Sequence, residues 1–595
     1  MSDILKAYTA ITPSSPRNEV STVFNTIINA LPFSINKTSR VDLIKAIITD
    51  LKGCGPKAKL TPKDAPLALL SVKTLGKDPT GSEYLSSPEN LSTLLDFAKT
   101  FKDEPEASSE ALRCIANALL LIDTARSTFI NKEVDGGETC ILLLEKSTAP
   151  DRVFILSRIL FLATASGTSY IQTMVESKHH GRTLVEILGN KLDTMTTAVR
   201  NGTPNAKEAV TDLLKFIFNI LVHYPKMTEA EPQPQQSAAR GDDSVMGDFW
   251  DSKLDGIVAP LLRTFHNLPP TSPTPIAAPL THVIHSLITI PITPSLKPIW
   301  FGQSPTSSRN PSPKSRTPQP SDSTPESRSV SPVPSNSSPT SPKPSTLDRA
   351  LSVLAAGRRS LSRAPSPSTA SSLDTLQRAC DLLETAFAHY FPGDVEPDDL
   401  DLRQKVKAET SDSLDDMLSP LVILISRLCL GDEGCKVRVR QWLVPDDLDR
   451  TSPLEQRADI LGRCLRLLAS VYHPRLKDAV GEMLYAAADS DASTLSALVG
   501  YGNVAGFLFH KGILSAPQPP SGAGPSLTTP SGQEINPITG TTYQPKPATP
   551  EMTDEEKERE MEKLFVLFDR LEKTGALPPD QNPMRKAIQQ GKLGN

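Results

Sequence analysis

The sequence predicts an all-α chain whose helices stack in series. Three observations carry this. Most apolar segments repeat with helical period, as in "EALRCIANALLLID" (110–123), "RVFILSRILFLATASG" (152–167) and "VTDLLKFIFNILVHYP" (210–225). Period-two runs bounded by hairpin signals are missing. The segments recur at intervals of a few tens of residues, near the ~40–47 of armadillo and HEAT repeats. Each such repeat buries its apolar face on its neighbours, which makes an armadillo/HEAT-like α-solenoid. An irregular helical bundle is the rival architecture.

Residues 1–302 hold the first block of repeats. Shorter helices, "DAPLALLSVKTLG" and "ENLSTLLDFAKTF", lie among the longer ones, and "APLTHVIHSLITIPI" (278–292) closes the block. Residues 303–372 form a Ser/Pro-rich insert with too little apolar surface to offset the entropy of ordering, so disorder is expected. Its Ser-Pro and Thr-Pro steps include Ser312, Thr317, Ser331 and Ser341, and Ser362 follows Arg359 by three residues. These read either as kinase targets or as parts of a passive spacer. Residues 373–514 hold a second block, with "LDTLQRACDLLETAFAHYF" (373–391), "LSPLVILISRLCL" (418–430) and "ILGRCLRLLASVY" (460–472). A flexible linker, 515–550, follows. Residues 551–575 read as one amphipathic helix, capped by Thr553 and Glu556 and closed by Gly575. Its apolar stripe is Met561, Leu564, Phe565, Phe568 and Leu571; a polar tail fills 576–595.

Composition narrows the function. The 595 residues are 38% hydrophobic and only 5% aromatic, with 54 prolines, so part of the chain is expected to be unfolded. Net charge is −5, without the basic excess of a polyanion binder, so nucleic acid is not expected as a partner. The seven cysteines form no CxxC pair, which argues against a zinc ribbon or a disulfide framework. No secretory signal is visible at the N-terminus and no apolar run is long enough to span a bilayer. The expectation is a cytoplasmic monomer without cofactor or metal.

No catalytic constellation emerges. "GCGPKAK" (53–59) lacks the spacing that cradles phosphates, and no HExxH, GxSxG or kinase-type motif is present. His179 and His180 are adjacent, hence on different faces of a helix, and read as solvated polar residues. The chain therefore reads as a binding surface and not an enzyme. Asn117 and Asn219 interrupt apolar stripes. Each either pairs with the backbone of a bound peptide or is satisfied within its own repeat. Lys73 and Lys77, one helical turn apart, present joint positive charge or serve solubility. Arg438 and Arg440 beside Trp442 meet a carboxylate-bearing partner or form a solvated edge.

The C-terminal third resembles the synembryn family, named for resistance to inhibitors of cholinesterase. The residues that carry the resemblance come in three groups: Tyr501, Gly502, Asn503, Ala505 and Gly506; then Asn536, Pro537, Thr539 and Gly540; then Met552, Thr553, Glu555 and Lys557. "SVKTLGKD", "EALRCIANALL", "SRILFLATA" and "DLLKFIFNI" look like the family's repeat cores. The resemblance implies a guanine-nucleotide exchange factor and chaperone for heterotrimeric G-protein α subunits. It implies a concave face that takes the α subunit's C-terminal helix, with Lys73, Lys77, Asn117, Phe161 and Asn219 at matching positions. Lys73 and Lys77 look like replacements for arginines. Leu564, Phe565 and Phe568 match a second, distal contact with the α subunit. Peripheral membrane association through that subunit, at the cell cortex or plasma membrane, is implied as well. The chain departs from the animal members in its Ser/Pro insert and in "SAPQPPSGAGPSLTTPSGQE" (515–534), which carries almost no acid. The alternative function is a general α-solenoid adaptor that binds peptides without nucleotide dependence.

Overall fold

The computed structural model describes residues 3–31, 34–228, 250–302, 373–513, 528–529 and 532–543. These are predominantly helical. The only paired strands among the described residues are Lys178–His179 and Arg182–Thr183, an antiparallel hairpin with His179 opposite Arg182.

Local chemistry sets where the helices begin. Proline is the first residue of Pro88–Thr100, Pro105–Leu121, Pro150–Thr164 and Pro474–Ala487. At that position its missing N–H has no intrahelical partner to lose, and its fixed φ already suits a helix. Part of the proline content therefore starts helices and does not mark unfolded chain. Side-chain caps do the same work elsewhere. Asn36 accepts from the Ser39 amide, Asp432 from Cys435 and Asp459 from Gly462, while Thr183 and Glu186 complete a capping box.

The longer helices carry the architecture. They are α1 (Arg17–Ile28), α2 (Lys37–Lys52), α3 (Ala65–Leu75), α4 (Pro88–Thr100), α5 (Pro105–Leu121), α6 (Gly136–Lys146), α7 (Pro150–Thr164), α8 (Leu184–Arg200) and α9 (Ala206–Thr228). Beyond these come α10 (Val258–Asn267), α11 (Leu280–Ile288), α12 (Thr375–Tyr390), α13 (Leu414–Gly431), α14 (Glu433–Leu443), α15 (Ile460–Ala469), α16 (Pro474–Ala487) and α17 (Tyr501–His510). They pack in two rows. In the first row α1, α3, α5, α7, α9, α11, α13 and α16 each lie against the next. In the second, α4, α6, α8, α10, α12, α15 and α17 do so. Each second-row helix from α4 to α15 also packs on the first-row helix that follows it in sequence. The series runs on from α11 to α13 although residues 303–372 lie between them. One apolar core threads between the rows, with Leu112, Leu156, Leu160, Leu213, Phe216, Leu287 and Leu421 fully buried. Each such side chain contributes about 1.5–3 kcal/mol on burial.

Neighbouring elements also cap one another's carboxyl ends. The last carbonyls of a helix lack intrahelical donors, and that end favours a cation. Arg152 donates to Ala98 O (3.4 Å), Lys191 to Ser147 O (2.7 Å) and Arg378 to Leu268 O (2.7 Å). Arg427 donates to Ile288 O, Arg440 to Ala487 O (2.9 Å) and Arg463 to Phe391 O (2.8 Å). Each of these carbonyls belongs to the last turn or the C-cap of its helix.

The stack ends in a clasp. Residues 536–540 fold as a turn, Gly540 N donating to Asn536 O at 2.8 Å. The turn lies on the start of α17, where the amides of Tyr501 and Gly502 donate to the carbonyls of Pro537 and Ile538, both at 2.8 Å. Buried Arg450 donates to Gly540 O (2.7 Å) and Leu498 O (2.9 Å). A Cβ on Gly500 would stand 2.4 Å from Gly540 N, and one on Gly540 2.7 Å from the Val499 carbonyl carbon. Both glycines have positive φ, 85° and 71°, so contact and conformation alike require the missing side chain. Part of the stretch read as a flexible linker, 515–550, is thus held at 532–543. Its Asn, Pro, Thr and Gly content, typical of linkers, is equally the content of a tight turn.

Candidate functional site

Lys73, Asn117, Phe161 and Asn219 lie on the consecutive first-row helices α3, α5, α7 and α9. An ion-pair ladder ties these helices together. Lys73 of α3 meets Glu110 of α5 at 2.6 Å. Arg113 of α5 holds Glu110 at 2.5 Å and Asp151 of α7 at 2.6 Å. Arg158 of α7 holds Asp212 of α9 at 2.7 Å, and Lys215 faces the same carboxylate at 3.5 Å. Beside the ladder, a groove of about 490 Å³ runs over Leu67, Leu70, Glu106, Arg113 and Arg152.

The two asparagines share a second role. Asn219 donates its side-chain nitrogen to Phe161 O and to Thr164 Oγ1, both at 3.0 Å. Asn117 donates to Lys73 O at 3.5 Å. Phe161 and Lys73 sit in the last turn of α7 and α3, so each asparagine caps the preceding first-row helix. Of the two readings left open, the amide nitrogens are satisfied, by the preceding first-row helix, and no donor reaches either side-chain carbonyl oxygen among the described residues. Phe161 is half-buried, with Lys215 Nζ 5.9 Å from its ring centre, and Arg158 stacks over Phe154 at 4.7 Å.

Lys77 does not share a helix with Lys73. α3 ends at Leu75 and Gly76 caps it, because Gly76 N turns back to Val72 O. Lys77 is exposed beyond that end, and its ammonium has no acceptor among the described residues. Arg438 and Arg440 lie on α14, away from the ladder. Arg438 forms a bidentate pair with Asp374 (3.2 and 2.7 Å), and Arg440 divides its guanidinium between Ala487 O and Asp489 (2.6 Å).

Several residues of this face escape a reading of the sequence: Arg113, Phe154, Arg158, Lys215, Phe218, His282 and His285. One signal was available. Arg113 with Asn117, and Lys215 with Asn219, repeat a basic residue four positions before the asparagine. On α11, His285 stands 6.4 Å from Phe218 and 6.2 Å from His282, ring centre to ring centre. Burial, then Lys215, then His285 push His282 down to about 4. Burial also lowers His285, against the pull of Asp416.

Of the adjacent histidines 179 and 180, His180 is exposed as read, and the helix placement of both and the solvation of His179 are corrected. They sit on the hairpin, not a helix, and His179 is 1% exposed. Its ring nitrogens meet Glu138 at 2.6 Å and Met174 O at 2.8 Å, so the side chain is a satisfied core group and not a solvated one. Six of the seven cysteines are buried and all are free; burial raises the thiols, Cys140 and Cys464 to about 12. Among the described residues no group of His, Cys, Asp or Glu side chains could hold a metal ion, and no helix is long and apolar enough to cross a membrane.

The ion-paired cations Lys73, Arg113, Arg158 and Lys215 and the rings of Phe154 and Phe161 thus lie together along α3, α5, α7 and α9. Compared with known families, residues 68–592 match the model described as guanine nucleotide exchange factor synembryn. The chain belongs to the synembryn family. A synembryn-like chaperone of Schizosaccharomyces pombe is 30% identical over 183 residues, 29% of this chain and 34% of that protein. Chaperone ric-8 of Caenorhabditis elegans is 27% identical over 186 residues, 29% of this chain and 32% of its own length. Chaperone Ric-8A of Macaca fascicularis is 29% identical over 174 residues, 28% of this chain and 32% of its own. The matched stretch therefore spans about a third of each of these relatives.

The clasp brings together two of the three motif groups that pointed to synembryns. Asn503 of the first donates to Val499 O (2.7 Å) and reaches Thr539 O of the second at 3.4 Å. The third group, from Met552 to Lys557, lies outside the described residues. So do Leu564, Phe565 and Phe568, and so do Ser312, Thr317, Ser331, Ser341 and Ser362.

Proposed function

We propose that this synembryn is a guanine-nucleotide exchange factor and folding chaperone for heterotrimeric G-protein α subunits. In this reading the two rows are an armadillo/HEAT-like solenoid formed jointly by 1–302 and 373–514. The side of the first row that carries the ion-pair ladder is its concave face. The observation that carries the reading is the family match over 68–592. The geometry supports it. An amphipathic helix ending in a carboxylate finds the Lys77 ammonium, the rings of Phe154, Phe161 and Phe218, and the side-chain carbonyl oxygens of Asn117 and Asn219, none of the three polar groups having a partner among the described residues.

The mechanism involves no covalent step. Binding the α subunit's C-terminal helix in a displaced position stabilises the nucleotide-free state, by as much as the affinities for the two states differ. The coupling is reciprocal, so GTP rebinding expels the factor. Protection of the unstable nucleotide-free subunit is the same linkage seen as chaperoning. Leu564, Phe565 and Phe568 add a second contact, strengthened by tethering. The test is GDP release from an α subunit of the same cell. The protein is expected to speed it, and deletion of residues 551–575 to weaken the effect. No acceleration with any α subunit removes the exchange claim.

A further inference from the structure

We propose that the pocket beside the helix Leu400–Glu409 binds a small organic anion, a carboxylate or phosphate carried on an apolar body. The pocket holds about 390 Å³ and lies between that helix, the first turn of α13 and the residues leading into α16. Small-molecule sites span roughly 300–1,000 Å³. Leu402, Val406 and Leu414, all buried, form its apolar wall, while Leu400 and Tyr472, 58% and 57% exposed, stand at its mouth. The site is apart from the ladder of α3, α5, α7 and α9 and does not rest on the proposed function.

Charge decides the ligand class. Arg403 and Lys407 both line the pocket and fall at i and i+4, on one side of their helix. Neither side chain pairs with a carboxylate or a carbonyl among the described residues, and Arg403 Nε is buried without a hydrogen-bond partner. Arg403 instead stacks over the Tyr472 ring, 4.6 Å from guanidinium carbon to ring centre. Stacking leaves the guanidinium edge free for the two parallel hydrogen bonds that a carboxylate or a phosphate accepts. Asp398 fixes the backbone under the ring: it accepts from Ser470 Oγ at 2.6 Å, Val471 N at 2.8 Å and Tyr472 N at 3.2 Å. The neighbouring carboxylates are already engaged. Asp415 accepts from the amides of Arg475 and Leu476, both at 3.2 Å, Asp416 pairs with Arg475 at 2.7 Å, and Glu409 with His389 at 2.8 Å. Of the two lining carboxylates, Asp412 and Asp415, only the exposed Asp412 is left over, against two cations. A negatively charged acceptor complements this pocket, and a cation does not.

The experiment titrates the full chain with phenylbutyrate, and with phenylbutanol and phenylbutylamine as its neutral and cationic counterparts. The readout is the methyl resonances of Leu402, Val406 and Leu414. The anion is expected to give saturable shifts at all three residues and to bind at least about tenfold more tightly than either counterpart. Arg403→Met is expected to weaken the anion at least about tenfold and to leave the alcohol unchanged. Lys407→Met is expected to weaken the anion less; it removes an exposed cation without a partner among the described residues, so it serves where a melting curve shows Arg403→Met to be unfolded. No saturable shift at these methyls overturns the site. Equal affinity for the three probes, or anion binding that survives both substitutions, overturns the anion class and leaves an apolar cavity. Preference for the amine overturns it too and assigns the pocket to Asp412.

Discussion

Asn219 donates its side-chain amide to the carbonyl of Phe161, one helix back in the first row, at 3.0 Å. The bond satisfies a helix-end carbonyl in a place that is 8% exposed at Asn219. Asn219→Ala leaves that acceptor without a donor and is expected to lower stability by about 1–3 kcal/mol. Asn117→Ala, whose bond is longer at 3.5 Å and half-exposed, is expected to lose less. Urea midpoints at unchanged m-value measure both. No difference between Asn219→Ala and the wild type would mean the cap carries no stability.

Lys77 and Lys73 are expected to separate folding from binding. Lys77 has no carboxylate partner among the described residues, so Lys77→Ala is expected to shift stability by less than about 0.5 kcal/mol. Its loss of α-subunit affinity is expected to shrink as salt rises, since exposed charges are screened. Lys73→Ala also breaks the 2.6 Å pair with Glu110, so it is expected to affect both. Affinity measured at two ionic strengths, beside a melting curve, distinguishes them.

The clasp predicts a local effect with a distant reading. Gly540→Ala places a Cβ 2.7 Å from the Val499 backbone at a φ of 71°. The substitution is expected to cost about 1 kcal/mol or more and to release residues 532–543 before the rest of the stack. Hydrogen exchange then rises at 532–543 and stays unchanged in α7 and α9. A uniform rise would mean the clasp unfolds only with the whole protein.

His282 gives the fold a pH dependence. Its folded value is about 4 against an ordinary 6.5, through burial, then Lys215, then His285, which itself faces Asp416. Between these values the unfolded chain binds a proton that the folded chain refuses. Stability from this group is complete above about 6.5 and declines as pH falls toward 4. Replacement by asparagine is expected to flatten the fall of the melting temperature across that window. An unchanged slope in His282→Asn would assign the loss to other groups.

The sequence revealed the helical class because its apolar stripes are long and periodic, and the buried stripe of 210–225 returns within α9. The ladder along α3, α5, α7 and α9 was half legible. Asn117 and Asn219 stood out as breaks in apolar stripes and Phe161 only through the family resemblance, but the dependence of each asparagine on the preceding helix is a relation across 44 or 58 residues of chain. Period within one segment cannot show that. Lys77 looked like the partner of Lys73 until Gly76 ended the helix. The clasp was hidden because turn chemistry and linker chemistry use the same residues, and only the facing amides of Tyr501 and Gly502 tell them apart.

In the proposed function this face binds α subunits in a nucleotide-dependent way. The most direct measurement is capture of one α subunit by the full chain in two states, nucleotide-free and loaded with a non-hydrolysable GTP analogue. Strong capture of the empty subunit and release by the analogue are expected. Equal capture in both states would contradict it and leave a peptide-binding adaptor.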